Sequence, residues 1–232
     1  MTGTEARQQA AWAQQAFSAS KAEFLARTYS HLFGAIAAFT LVEVALFRSG
    51  MAETIAAALF GVNWLFVLGG FVAASWIASR VAAQAESRAA QYAALGGFVL
   101  AEAIIFVPLL FLANSYAPGA ITSAALVTLL AFAGLTAVVF VTRKDFSFLR
   151  GVLGYGMVLA LVAIVAGVVF GFQLGTWFSV AMVGLAGAAV LYDTSKILRG
   201  YPEDRYVAAA LQLFASVALM FWYVLRIFMS RR

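Results

Sequence analysis

Apolar residues fill this chain in long blocks separated by short polar stretches. They follow neither the alternation of a half-buried strand nor the single stripe of a surface helix. A helix needs about 20 mainly apolar residues to cross a bilayer, and its backbone must satisfy its own hydrogen bonds there. Seven blocks meet that length, at about 28–48, 58–80, 90–113, 120–142, 151–171, 175–197 and 206–229. The division between the fifth and sixth rests on Phe170-Gly-Phe-Gln-Leu-Gly, read as a tight turn. Fused, the two runs would be far too long for one crossing. The pattern predicts an all-α fold, a bundle of seven transmembrane helices over 28–232, preceded by a cytoplasmic tail over 1–27. That tail is Ala/Gln-rich, carries Glu5, Arg7, Lys21, Glu23 and Arg27, and reads as loosely ordered. Trp12, Ala16 and Phe17 offer a weak alternative, a stripe lying on the membrane surface. The segment lacks the early apolar stretch of a cleavable secretory signal.

Composition agrees with this reading. Of the 232 residues 64% are hydrophobic and 11% charged, and mean hydropathy is +0.94. A soluble domain carries about 25% charged residues, so the surplus apolar surface requires lipid as its solvent. Cysteine is absent, which excludes disulfides and thiolate chemistry, and a single histidine, His31, excludes a His-rich metal site. A net charge of +5 in a soluble protein would raise the question of nucleic acid. Here the basic residues lie between apolar blocks, where they orient the chain, and no nucleic-acid partner is expected.

With the N-terminus inside, the cytoplasmic segments hold Arg7, Lys21, Arg27, Arg80, Arg88, Arg143, Lys144, Arg150, Lys196, Arg199 and Arg205. The opposite side holds only Arg48, Arg226, Arg231 and Arg232. The positive-inside rule therefore predicts a cytoplasmic N-terminus, and seven crossings put the C-terminus outside. Arg231 and Arg232 mildly oppose this, leaving a last helix that dips in and returns as the alternative. Compact loops and the missing leader point to a bacterial inner membrane.

A carboxylate inside a spanning block is costly and needs an account. Asp193 stands near the cytoplasmic end of the sixth span. It is either an interfacial acid paired with Lys196, three residues on, or a titratable gate or ion ligand in a cytoplasm-facing cavity. Spacing leaves both open. Arg80 ends the second span at the same depth, free to snorkel or to form a latch with Asp193. Glu102, mid-depth in the third span, has no basic residue within a turn. It is a protonated acid hydrogen-bonded between helices, or a group on a permeation path. Pro108 follows it and should kink the helix. Glu43 is expected to be interfacial and paired with Arg48. Glycines at Gly151, Gly154 and Gly156, at Gly167, Gly171 and Gly175, and at Gly184 and Gly187 suit close helix packing. No serine elbow, zinc-protease or phosphate-loop motif is present, and the other aspartates, Asp145 and Asp204, fall in loops. No enzyme and no cofactor are predicted.

Four stretches together resemble the Bax inhibitor-1 family, also called the transmembrane Bax inhibitor motif family. They are Phe24-Leu-Ala-Arg-Thr-Tyr-Ser-His-Leu, Thr142-Arg-Lys-Asp-Phe-Ser-Phe-Leu, Leu191-Tyr-Asp-Thr-Ser-Lys-Ile and Ala209-Ala-Leu-Gln-Leu-Phe. The resemblance implies six helices around a central seventh, and a pH-sensitive calcium leak that uses no covalent cofactor. It also implies a sensor of two aspartates in bacterial members, one each on the sixth and seventh helices. Asp193 matches the first. At the second this chain has Ser216 or its apolar neighbours, and no carboxylate anywhere in the helix. Arg80 matches, by position, a basic latch on the second helix.

Three readings follow. The leading one is a passive leak for calcium or another cation, gated by protonation of Asp193 with Arg80 as latch. Glu102 and Ser216 would lie on its ion path, with Asp193 as a weak, transient calcium ligand. The alternative is a non-conducting regulator that binds a quality-control protease or another membrane protein. The loss of one sensor carboxylate favours it, because two close carboxylates share a proton and one does not. Proton-coupled solute transport through Glu102 ranks last.

Overall fold

The computed structural model describes residues 3–230, with side chains from residue 19 onward. Eight α-helices follow in order: α1 (Gly3–Arg48), α2 (Met51–Phe60), α3 (Trp64–Gln84), α4 (Arg88–Tyr116), α5 (Ala120–Thr142), α6 (Leu149–Phe170), α7 (Thr176–Gly200) and α8 (Tyr206–Ser230). A 3₁₀ turn, Glu203–Arg205, leads into α8. Seven of the helices are long and apolar enough to cross a membrane, the span of α1 running from Ala19 to Arg48. The protein is an all-α, seven-span integral membrane protein.

Helix α8 is the centre. It packs most extensively on α7 and also against α1, α3, α4 and α5. Helix α6 reaches it through a small cluster of Ala160, Met182 and Tyr223. Inside lipid, helices associate through close van der Waals packing rather than through exclusion of water, which favours small residues at contacts. The run Ala208, Ala209 and Ala210 at the start of α8 is fully buried for that reason. Gly187 of α7 has Leu135 and Met220 within contact of where a Cβ would stand, and Gly156 of α6 has Leu185 there. Gly151, Gly154, Gly171, Gly175 and Gly184 have nothing near them, so the packing expected at those five does not occur.

Two turns decide the topology. Gly171 ends α6 at a φ of 72°, a left-handed conformation that glycine adopts without steric cost. Five residues later α7 begins, so the tight turn expected at Gly171–Gly175 is present. The unanticipated short helix α2 follows Gly50, also left-handed, and buries Ala52 and Ala56 against Val107 of α4. Ten residues cannot span, and the second crossing starts at Trp64 instead of 58. There Asn63 Oδ1 accepts the Leu65 N–H at 2.9 Å and caps α3.

Two further readings of the sequence differ from the structure. The tail over 1–27 is helical backbone from Gly3 on, and its last residues are docked. Phe24 is buried and stacks on Tyr201, and Lys21 Nζ donates to the Ile197 carbonyl at 2.7 Å. The side chains of Trp12, Ala16 and Phe17 lie outside the described residues. Helix α8 runs unbroken, so a dip and return within it does not hold.

Candidate functional site

Asp193 lies on the face of α7 that carries Ala186, Val190 and Ile197, all fully buried. Residues three, four and seven apart share a helix face, and this register turns the carboxylate toward α8. Ser216 of α8 meets it: the hydroxyl donates to Asp193 Oδ2 at 2.8 Å. Asp193 is half-buried and Ser216 buried. Ser216, which with its apolar neighbours stands where the resemblance would place a second aspartate, therefore contacts Asp193 directly.

Neither cation foreseen as a partner takes the other side. Lys196 is exposed and its ammonium sits over the Tyr201 ring, 5.2 Å from the centroid, so the expected pair with Asp193 is not formed. Arg80 is exposed and lies over Trp76 at 4.6 Å, so the Arg80–Asp193 latch is not formed either. An exposed guanidinium stays hydrated and stacked at little cost, whereas entering the bundle would strip its water.

Tyr201, in the turn between α7 and the 3₁₀ segment, is buried between Phe24 and the Lys196 ammonium. Burial pushes its hydroxyl up to about 12, and the nearby Asp193 charge adds to the shift against the opposing charge of Arg205. The phenol therefore remains protonated at neutral pH. Residue patterning did not single out Tyr201, since tyrosine at a helix end has the ordinary reading of an interfacial anchor.

The connection from α5 to α6 is clipped to the same end of α7. Arg143 closes α5 in a left-handed conformation at φ 49°, unfavourable for a side chain with a Cβ. Its carbonyl accepts from Arg199 Nη2 at 2.6 Å, which holds the turn. Ser195 Oγ accepts the Phe146 N–H at 3.2 Å, and Arg199 approaches Asp145 at 3.6 Å. Asp145 also accepts the Ser147 N–H at 2.8 Å, a bond that holds its carboxyl below the usual range. Two stretches far apart in sequence, 142–149 and the end of α7 from Ser195 to Arg199, are thus joined just beyond Asp193.

Glu102 does not join them. It is buried in α4 and makes no hydrogen bond or ion pair to a described residue. At 1.5 Å per residue it lies about 21 Å along α4, while Asp193 stands about 10 Å from the end of α7 on the same side. Glu43 is buried, both its oxygens lack a partner among the described residues, and Arg48 is exposed. The expected Glu43–Arg48 pair is absent among the described ion pairs. One carboxylate and one hydroxyl make a sparse cation site, since calcium takes six to eight oxygens. Among the described residues no three His, Asp or Glu side chains converge.

The family model described as inhibitor of apoptosis-promoting Bax1 matches residues 21–232. An uncharacterized protein of Pseudomonas aeruginosa is 40% identical over 111 residues, covering 47% of this chain and 49% of the relative. An uncharacterized membrane protein of Vibrio cholerae is 31% identical over 112 residues, 47% of this chain and 49% of its own. The Escherichia coli K12 protein named modulator of FtsH protease YccA is 35% identical over 101 residues, 43% of this chain and 46% of that one. The chain thus spans about half the length of the curated relatives it matches.

Proposed function

The chain belongs to the family of inhibitors of apoptosis-promoting Bax1, and on that premise we propose that it is a non-conducting regulator of a bacterial inner membrane that binds a membrane-embedded quality-control protease of the FtsH class. The observation that carries this reading is the Asp193–Ser216 hydrogen bond. A donor stands where a gate of shared protons would need a second acid. The site holds its two helices together and offers a cation one carboxylate. The name of the Escherichia coli relative supplies the class of partner. Helix α6 supplies a contact surface of the right kind, because one face of it carries exposed apolar residues along its length, including Leu159, Val162 and Phe170. A spanning helix of a partner can pack there without displacing a helix of the bundle.

Co-reconstitution of the chain with an FtsH-class protease tests the proposal. Degradation of a membrane substrate should slow several-fold, and the two proteins should copurify from native membranes. Unchanged degradation together with no copurification sinks it.

A second reading, a pH-sensitive leak for calcium or another cation gated at Asp193, is favoured by one feature. The carboxylate points into the bundle and no basic side chain pairs with it among the described residues. Its protonation would change the charge buried between α7 and α8. Under this reading, liposomes holding the wild-type chain pass calcium in a pH-dependent manner and the Asp193→Asn variant does not follow the same dependence. Equal flux from wild type and variant at every pH rejects it.

A further inference from the structure

The half of the bundle away from Asp193 contains a cavity of about 410 Å³ between α1, α4, α5 and α8. Its walls are mainly phenylalanine and aliphatic side chains, among them Phe39, Phe106, Phe214 and Phe221, with Asn114 of α4 also lining it. Into this apolar space faces Glu43, 6% exposed, with neither carboxyl oxygen hydrogen-bonded to a described residue. Thr128, across the cavity on α5, is also buried with an unpartnered hydroxyl. Helices α1 and α5 flank the cavity without packing closely on one another. The exposed residues Thr40 and Val44 on one and Leu129 on the other line the gap. The opening therefore faces lipid, about 8 Å from the end of α1 by helical rise.

A carboxyl left without a partner in such a place costs free energy in either protonation state. A hydrated metal ion is a poor remedy, because it would have to trade its water for few oxygens between aromatic walls. A cation that carries its own hydrocarbon meets both features, and it can enter sideways from the bilayer. The volume suits a single-chain or drug-sized molecule. We propose that this cavity is a binding site for a lipophilic amine, with the ammonium against the Glu43 carboxylate and the hydrocarbon body along the phenylalanine walls.

The full chain in neutral phosphatidylcholine nanodiscs, exposed to a dodecylamine with a diazirine on its tail, gives a direct test. Labels are mapped by peptide mass spectrometry. The expected result is saturable labelling concentrated in 36–47 of α1 and 121–129 of α5, displaced by unlabelled dodecylamine. It should fall at least tenfold in Glu43→Gln. The matched diazirine dodecanol should label these segments at least tenfold less than the amine. Ala125→Phe, which fills the cavity without touching the acid, should block the amine equally and carries the test if Glu43→Gln fails to fold. Equal labelling by amine and alcohol means that ordinary hydrocarbon fills the space, and this overturns the proposal. So does labelling that neither substitution reduces.

Discussion

Replacing Ser216 by aspartate would set two carboxylates against each other across the α7–α8 contact, where the chain now has one donor and one acceptor. Two such acids cannot both ionise cheaply, so they share a proton and together offer more oxygen to calcium. Ser216→Asp is expected to raise calcium flux into liposomes several-fold over wild type, with a dependence on pH. Ser216→Ala should raise no flux and should cost about 1–3 kcal/mol of stability by stranding a buried acceptor, read from thermal unfolding in detergent. Tyr201 gives a pH prediction of definite sign. Its folded-state value of about 12 lies above the ordinary 10.0, so the fold favours the neutral phenol. That contribution is complete below pH 10 and is lost as pH rises from 10 toward 12, because the unfolded chain ionises first. Thermal stability should drop by up to about 2 kcal/mol across that window. Tyr201→Phe, which keeps the ring against Phe24, should flatten the drop.

At the scale of elements, α6 and α7 are joined by a turn whose geometry is more restrictive than their contact. A Cβ at Gly167 would stand 3.1 Å from the Phe172 carbonyl oxygen, a backbone atom that cannot swing aside. A Cβ at Gly156 would stand 2.5 Å from Leu185 Cδ1, the far end of a flexible side chain. Gly167→Ala should therefore cost about 1–3 kcal/mol by overpacking. Gly156→Ala should cost less, despite the shorter distance, because Leu185 can change rotamer. Hydrogen exchange at 168–175 should rise in the first variant and stay near wild type in the second. The same scale explains why two sequence motifs converge. Arg199 and Ser195 lie beyond Asp193 on α7 and grip the 143–147 turn, so the loop motif and the helix motif are two parts of one joint.

For the whole molecule, stability is concentrated along α8. Leu213 and Leu225 are completely buried there, while Val162 of α6 is 60% exposed. Leu213→Ala should cost about 2–5 kcal/mol through the cavity it leaves. Val162→Ala should change unfolding in detergent very little, because its neighbours there are lipid-like rather than protein. If α6 is the protease contact, Val162→Trp, which adds bulk to the lipid-facing surface without placing a charge in the hydrocarbon, should weaken copurification and leave unfolding in detergent near wild type. The two halves of the molecule also differ. The Asp193 joint is paired and clipped, whereas the Glu43 cavity on the opposite side is apolar with an acid lacking a partner.

The amino-acid order alone determined the solvent of this protein, the seven crossings and the bounds of the last five to within about three residues, because a 30 Å hydrocarbon layer demands about 20 apolar residues whatever surrounds them. Spacing along α7 left open whether Asp193 faces the bundle, and the burial of Ala186, Val190 and Ile197 on its face decided it. Pairing across helices was decided by the tertiary structure. Asp193 takes Ser216 rather than Lys196 or Arg80, Glu102 stays apart, and Glu43 turns from Arg48 into a cavity. Spacing along one helix tells which residues can be neighbours on that helix. Which face meets which helix depends on the packing of small and large side chains around α8. Long basic side chains are free to leave a nearby acid for water and an aromatic ring.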